Sequence, residues 1–333
     1  MKNVGLVGLG FIGKAHFNAY QHIPNAEVTA ICTRSEVTDP EIVNNFHGLL
    51  IQNFDELLKN ESIDIIDICL PTYLHEEYIV KAAEAGKHII CEKPLTLTEE
   101  STERIISVAN ENDVELFVGH LLRFWPEYEL IKSYKETDQL NGLDIVHAKR
   151  LGQFPAWSDW FKYPEKSGGA LFDLHIHDID FAYYLLGEVE SVYAVGSQNE
   201  QGAWTQIMTT LVFKNKTKAF IEASNQMPDG YPFTMNFRAQ AKDATLEFAV
   251  SAGENIEGID ENNSSLNFYK DQSNQSLNVP LSDPFQKELA YFVSCLEENS
   301  ENKIIPVSDV RYVMKLLQSI KSSLETGQVI EIS

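Results

Sequence analysis

Apolar residues in the first 120 positions fall into short β-type runs separated by helical stretches. The runs are "VGLVGLG", "EVTAICT", "IDIIDICL", "HIICEKPL" and "VELFVGH". Between them, apolar spacing predicts helices up to Tyr20, over 74–85 with a stop at Gly86, and over 98–112. Such alternation predicts a parallel, doubly wound sheet. After Trp125 the pattern changes. A helix around 127–137 and a strand near 143–151 precede the stretch "SGGALFDLHIHDID", whose Leu171, Leu174, Ile179, Phe181, Leu185 and Leu186 recur at helical spacing up to Gly187. Runs at 189–199, 204–213, 217–225, 232–240 and 244–249 then arrive in succession, with turn signals such as "KNK" and "AKD". That order predicts an antiparallel sheet packed against few helices. The polar tract 251–279 reads as a hairpin region, and 284–299 and 308–325 return to helix. The expected division is 1–121 and 122–333.

A chain of 333 residues can bury two cores. Its 26 basic and 49 acidic residues leave a net charge of −23, which repels nucleic-acid phosphates and anionic membranes. No local basic patch offsets this, so neither nucleic acid nor membrane is expected as a partner. Cys32, Cys69, Cys91 and Cys295 lack metal-ligand spacing, and three of them sit in apolar runs, which points to a reduced, cytoplasmic protein. No run is long enough to span a bilayer. The apolar N-terminus carries regularly spaced glycines and no convincing cleavage site.

The candidate chemistry lies where strands end. Gly8, Gly10 and Gly13 form G-x-G-x-x-G after a strand and at a helix start. With Phe11 and Ile12 they make a loop whose backbone can approach a pyrophosphate. A bare glycine-rich turn is the alternative, and the strand-turn-helix context favours a dinucleotide. An acid commonly ends the second strand of such a unit and holds the ribose 2′-hydroxyl. Here Thr33, Arg34 and Ser35 follow Cys32 instead. Arg34 can pair with a 2′-phosphate or stack on adenine, so the expected cofactor is NADP or NAD, with NADP slightly favoured. The alternative is an exposed arginine beside an NAD site. Pro71, Thr72 and His75 follow the next strand, and Glu92 and Lys93 the one after. Because Lys93 precedes Pro94, an extended backbone is expected to carry its ammonium beyond the sheet edge. In the second half, Asp173 and His177 stand four apart on one helix face, with Asp180 three further on, while His175 points elsewhere. Two histidines two apart do not converge on one ion and no third ligand is evident, so no metal is expected.

The motifs "GLGFIGKAH", "CEKPL" and "GGALFDLHIHDID", in this order and spacing, resemble those of the Gfo/Idh/MocA family of sugar and cyclitol dehydrogenases, over essentially the whole chain. The resemblance implies a Rossmann domain followed by an α/β domain whose large open, mainly antiparallel sheet makes the oligomer contact of a homodimer or homotetramer. It places the family's catalytic lysine on Lys93 and its D-x-x-x-H pair on Asp173 and His177. His177 would take the hydroxyl proton of a secondary alcohol as hydride leaves for nicotinamide, Asp173 would orient that ring or bond the neighbouring substrate hydroxyl, and Lys93 would stabilise the developing alkoxide. His175 stands where relatives often carry glycine and is expected to reshape the substrate pocket. The "CTRS" segment also departs from the family pattern and leaves the cofactor open. Candidate substrate contacts are His120 and Arg123 after the last strand of the first domain, Trp157 and Trp160 in a loop, and Tyr231 and Asn225 at strand ends; tryptophans there equally suit a core or an interface. Two other functions fit these residues: a sugar- or cofactor-sensing protein without turnover, and a glycosidase using NAD transiently. Retention of Lys93, Asp173 and His177 together argues against the sensor.

Overall fold

A computed structural model describes residues 1–155, 158–253 and 263–332. The chain forms two compact units, and their division is not linear: residues 1–124 and 282–311 make the first, residues 125–281 and 312–333 the second.

The first unit is built on six parallel strands, β1 (Lys2–Val7), β2 (Ala26–Cys32), β3 (Leu49–Ile51), β4 (Ile65–Ile68), β5 (His88–Cys91) and β6 (Leu116–Val118), in the order β3-β2-β1-β4-β5-β6. Strands β4 and β6 are buried throughout, as expected where helices cover both faces of a parallel sheet. The order reverses between β1 and β4, so the glycine loop after β1 sits at the switch point where such sheets bind ligands. The return of 282–311 to this unit has a packing cause. Leu289, Phe292 and Val293 of the helix Pro284–Glu298 are buried in its core, with the Phe292 ring stacked 4.9 Å from that of Phe117 on β6. A helix's apolar stripe shows that it packs somewhere and not against what, which is why the sequence left this segment in the second domain.

The second unit carries a nine-stranded sheet. Its strands are β7 (Leu143–Gln153), β8 (Val189–Gln198), β9 (Trp204–Phe213), β10 (Lys218–Met227), β11 (Thr234–Ala241), β12 (Ala244–Ser251), β13 (Ser264–Lys270), β14 (Ser273–Ser276) and β15 (Ile330–Glu331). The order is β14-β13-β12-β11-β7-β10-β9-β8-β15, antiparallel except where β10 runs parallel to β7. One face packs on the helix Ile176–Leu186: Phe181 meets Phe237 of β11 at 5.0 Å and Tyr128 at 4.7 Å between ring centroids. The strand alternation is plain on β9, where Ile207, Thr209 and Leu211 are buried while Gln206 and Met208 face out.

Candidate active site

Gly8, Gly10, Thr33, Arg34, Ser35 and Pro71 come together around one cavity of about 420 Å³ at the carboxyl ends of β1, β2 and β4. The three glycines of the loop serve different ends. Gly8 has φ +96°, and a Cβ there would lie 2.4 Å from the Cys69 carbonyl oxygen. A Cβ on Gly13 would lie 2.1 Å from the carbonyl oxygen of Gly8, so the helix Phe11–Tyr20 can close on the strand only without one. A Cβ on Gly10 would meet nothing within 4 Å. Folding therefore explains Gly8 and Gly13 but not Gly10, which faces open space beside the cavity.

The rest of the cavity wall was not read from the sequence. Lys14 and Asp39 form an ion pair on it, Glu36 lies nearby, and Leu70, Phe54 and Tyr78 supply apolar surface, the last two with ring centroids 4.5 Å apart. Thr33 Oγ1 donates to the Ser35 carbonyl at 2.7 Å and fixes the bend that presents Arg34. No carboxylate stands directly at the end of β2; Glu36 and Asp39 line the same cavity from the following loop, Asp39 paired with Lys14.

Other expected cofactor contacts sit differently. Phe11, Ile12 and Gly13 form the first helical turn without lining the cavity. Thr72 and His75 are buried. The His75 ring is a bolt inside the unit, with Nδ1 3.0 Å from the Pro94 carbonyl and Nε2 2.8 Å from the Leu70 carbonyl. Burial holds its pKa low, so the neutral ring donates to one of these acceptors at a time. Its place just after a helix-initiating turn gave no sign of this, because both partners are main-chain carbonyls, one five residues back and the other nineteen residues on. Glu92 is buried, and Lys93 is half-buried at the end of β5, joined to Pro94 by a cis peptide bond. Arg123, expected to face substrate, is 3% exposed and committed elsewhere: Nη1 donates to the Ile304 carbonyl at 2.6 Å and to Asp309 Oδ2 at 2.7 Å. That tie fastens the returning segment of the first unit. His120 beside it is also buried.

In the second unit, Gly168 and Gly169 both have positive φ, and a Cβ on either would lie 2.5 Å from the Phe172 ring or the Trp204 carbonyl. The chain then enters a π-helical turn, Leu171–His175, and continues as α-helix from Ile176. Apolar spacing over so short a stretch does not separate a π turn from an α turn; such turns occur often at functional sites. Asp173 and His177 are half-buried and His175 is fully buried, so the expected difference in facing holds. The expectation that His175 shapes a pocket does not. Its Nε2 is 2.8 Å from Thr209 Oγ1 on β9, inside the core, and burial pushes its pKa down to about 3. The neighbouring Asp178 is gripped by Arg150 of β7, through Nε at 2.9 Å and Nη2 at 3.2 Å. This buried two-point pair anchors the turn that carries His177.

Tyr231 is half-buried in the loop before β11, where its carbonyl accepts from Gln153 Nε2 at 2.9 Å. Asn225 is buried on β10, and Trp160 stacks on Phe161 at 4.0 Å. Trp157 lies outside the described residues.

A glycine-looped dinucleotide cleft on a parallel sheet, accompanied by a second unit with an open, mostly antiparallel sheet, defines a two-domain nicotinamide-dependent oxidoreductase. The chain belongs to the GFO/IDH/MocA family: residues 2–120 match its oxidoreductase domain with NAD-binding Rossmann fold, and residues 137–253 match its C-terminal domain. An uncharacterized oxidoreductase, YrbE, of Bacillus subtilis (strain 168) is 34% identical over 68% of this chain and 68% of its own length. Myo-inositol 2-dehydrogenase of Thermotoga maritima is 30% identical over 68% of this chain and 70% of its own. A 2,7-anhydro-N-acetylneuraminate hydratase of Escherichia coli (strain K12) is 29% identical, covering 59% and 53%. Among solved structures, levoglucosan dehydrogenase in complex with NADH and L-sorbose superposes with a TM-score of 0.86, at 23% identity, over 100% of this chain and 99% of that one.

Proposed function

We propose that the protein transfers hydride between nicotinamide C4 and a secondary alcohol or ketone of a sugar, cyclitol or related polyol. The observation that carries this reading is Gly10, where a Cβ would meet nothing, facing open space beside a cleft of about 420 Å³ at the carboxyl ends of the parallel strands. Gly8, Gly10, Arg34 and Ser35 would hold the dinucleotide, which when bound supplies the hydride acceptor or donor. The chain's own residues handle the proton. His177 takes it from the substrate hydroxyl, since an imidazole nitrogen can accept a proton and give it back. Asp173 orients the His177 ring, and the Lys93 ammonium stabilises negative charge on the substrate oxygen. Arg34, with no carboxylate directly at the end of β2, supports NADP as slightly favoured over NAD.

The relatives named for inositol and levoglucosan support a polyol as substrate. The relative named as a hydratase favours a second reading, redox-neutral chemistry in which hydride leaves and returns. We further propose a small-molecule substrate as the sole obligatory partner besides further copies of the chain, in a homodimer or homotetramer, and a cytoplasmic location. Four free cysteines, three of them buried, support a reducing compartment. Among the described residues no helix is long and apolar enough to cross a membrane.

The test is a panel of polyols, keto-sugars and glycosides, run with both cofactors on the parent, Lys93→Ala, His177→Ala and Arg34→Ala. Net nicotinamide absorbance change is expected with a polyol, and each of the first two substitutions should lower turnover by about 10²-fold or more, leaving dinucleotide affinity intact. Product without net absorbance change would establish the redox-neutral reading. Parental turnover in His177→Ala would remove the acid/base assignment, and an unchanged NADP to NAD affinity ratio in Arg34→Ala would remove Arg34.

A further inference from the structure

His16, on the helix that begins at the glycine loop, is 1% exposed inside the first unit, yet both its ring nitrogens meet carboxylates. Nδ1 lies 2.8 Å from Asp67 Oδ2 on β4, and Nε2 lies 3.2 Å from Glu92 Oε1 just past β5. The other Glu92 oxygen, Oε2, accepts the main-chain N–H of Lys93 at 3.2 Å. One imidazole therefore connects the cofactor-side helix to the residue that holds the Lys93 amide.

The ring can satisfy two carboxylates only when both nitrogens carry protons. Burial alone would lower its pKa, but the charge and hydrogen bond of Asp67 raise it well above the ordinary value, so it is an imidazolium near neutrality. Burial works against the Glu92 carboxylate too, and the hydrogen bond and charge of His16, with Lys93, hold its pKa below the usual range. The surrounding groups are neutral. Cys69 Sγ is 3.4 Å from Nδ1, a thiol pushed up to about 12 mainly by burial. Tyr20 is pushed up by burial and by Asp67. Glu288, on the helix Pro284–Glu298, is raised well above the carboxylate range by burial and then by Glu92; neither of its oxygens completes a hydrogen bond, although the His120 main chain gives some relief. The Phe285 ring, centred 5.5 Å from that of His16, closes the remaining side. His16, Asp67 and Cys69 lie close enough together to hold a metal, but the hydrogen bonds of the ring already account for their approach.

We propose that His16 is a positioning residue for Lys93, its ring bridging the glycine-loop helix to Glu92 so that cofactor loop and lysine turn are held as one frame. The proposal rests on the reading of Lys93 as the group that stabilises charge on the substrate oxygen. A bridge to Glu92 constrains the turn that bears Lys93, whereas the bond to Asp67 alone ties the helix only to β4.

Two substitutions separate those halves, since a glutamine amide reaches about as far as Nε2 and an asparagine amide about as far as Nδ1. His16→Gln keeps a donor for Glu92, and His16→Asn keeps one for Asp67. We expect His16→Asn to lower kcat about tenfold or more, the scale of a misplaced catalytic group, with substrate KM and dinucleotide Kd within about twofold of the parent. His16→Gln should retain kcat within about threefold. Hydrogen exchange at the Lys93 amide should quicken in His16→Asn and stay slow in His16→Gln. The acidic limb of the kcat profile should move to higher pH in His16→Asn, because Glu92 without the imidazolium protonates more readily. Equal kcat and equal Lys93 exchange in His16→Asn, His16→Gln and the parent, with Lys93→Ala inactive, would overturn the bridge and spare the role of Lys93. Full activity in Lys93→Ala would overturn the lysine reading itself, and the exchange rates would then judge the bridge alone. Should neither His16 variant fold, Glu92→Gln carries the test: a kcat loss with KM retained supports the bridge, and parental kcat overturns it.

Discussion

Gly10 and Gly13 are the same residue three positions apart, and the structure assigns them opposite dependencies. A methyl group on Gly13 collides with the Gly8 main chain, so Gly13→Ala should lower the thermal midpoint by several degrees, whatever is bound. A larger side chain on Gly10 enters open space, so Gly10→Val should stay folded with a parental midpoint and lose dinucleotide affinity by about 10²-fold or more. Thermal denaturation with and without dinucleotide, alongside direct titration, checks both. Tight binding by folded Gly10→Val would take the pyrophosphate off this loop. The motif was legible in the sequence as three glycines, but which of them the fold requires depended on neighbours such as Cys69, some sixty positions away.

The stretch from the glycine pair to Leu186 shows how a helix start is held in register. Left-handed Gly168 and Gly169 set the entry, the Arg150 grip on Asp178 fixes the following turn against β7, and His175 pins the inner face to Thr209 of β9. His175 makes this arrangement sensitive to acid. Its folded pKa, depressed to about 3 by burial, lies below its unfolded value near 6.5, so the unfolded chain takes up the proton first. The stability it contributes is present above the unfolded value and is lost as pH falls towards the folded one, by up to about 1.4 kcal/mol per pH unit. Urea denaturation at pH 7 and pH 5 should show a smaller loss in His175→Leu than in the parent. An identical loss in both would mean that His175 does not titrate in the unfolding equilibrium. On the same grounds His175→Gly should cost stability rather than change substrate preference, since it leaves a core cavity and a glycine inside a helix.

The second unit's sheet has one face covered by helix and one exposed. On the exposed face Tyr193, Val195, Met208 and Phe220 are 40%, 49%, 57% and 42% exposed, and they are neighbours across β8, β9 and β10, with Val195 opposite Met208. Adjacent large apolar side chains on three strands make a patch suited to a second copy of the chain. Light scattering is expected to give at least a dimer mass, and Met208→Lys with Phe220→Glu should shift it to the monomer without unfolding the protein. A parental monomer at all concentrations would leave the patch without this role.

What the sequence determined by itself was whatever chain-local physics encodes. Periods of two and of about 3.6 residues marked strands and helices, demands for positive φ or for missing side chains marked the glycine turns, and the order of strands and helices separated a parallel sheet from an antiparallel one. Those signals sufficed for the fold class and for the glycine loop after the first strand. Only the tertiary structure decided which element the helix Pro284–Glu298 packs on, that Arg123 is spent on Asp309, that His75 reaches the Pro94 carbonyl, and that His16 joins Asp67 to Glu92. In each case a buried polar or apolar group must find a partner, and the partner is set by which distant segments the fold brings within reach. The Asp67 and Glu92 contacts of His16 span 51 and 76 residues of chain, a separation over which no local pattern carries information.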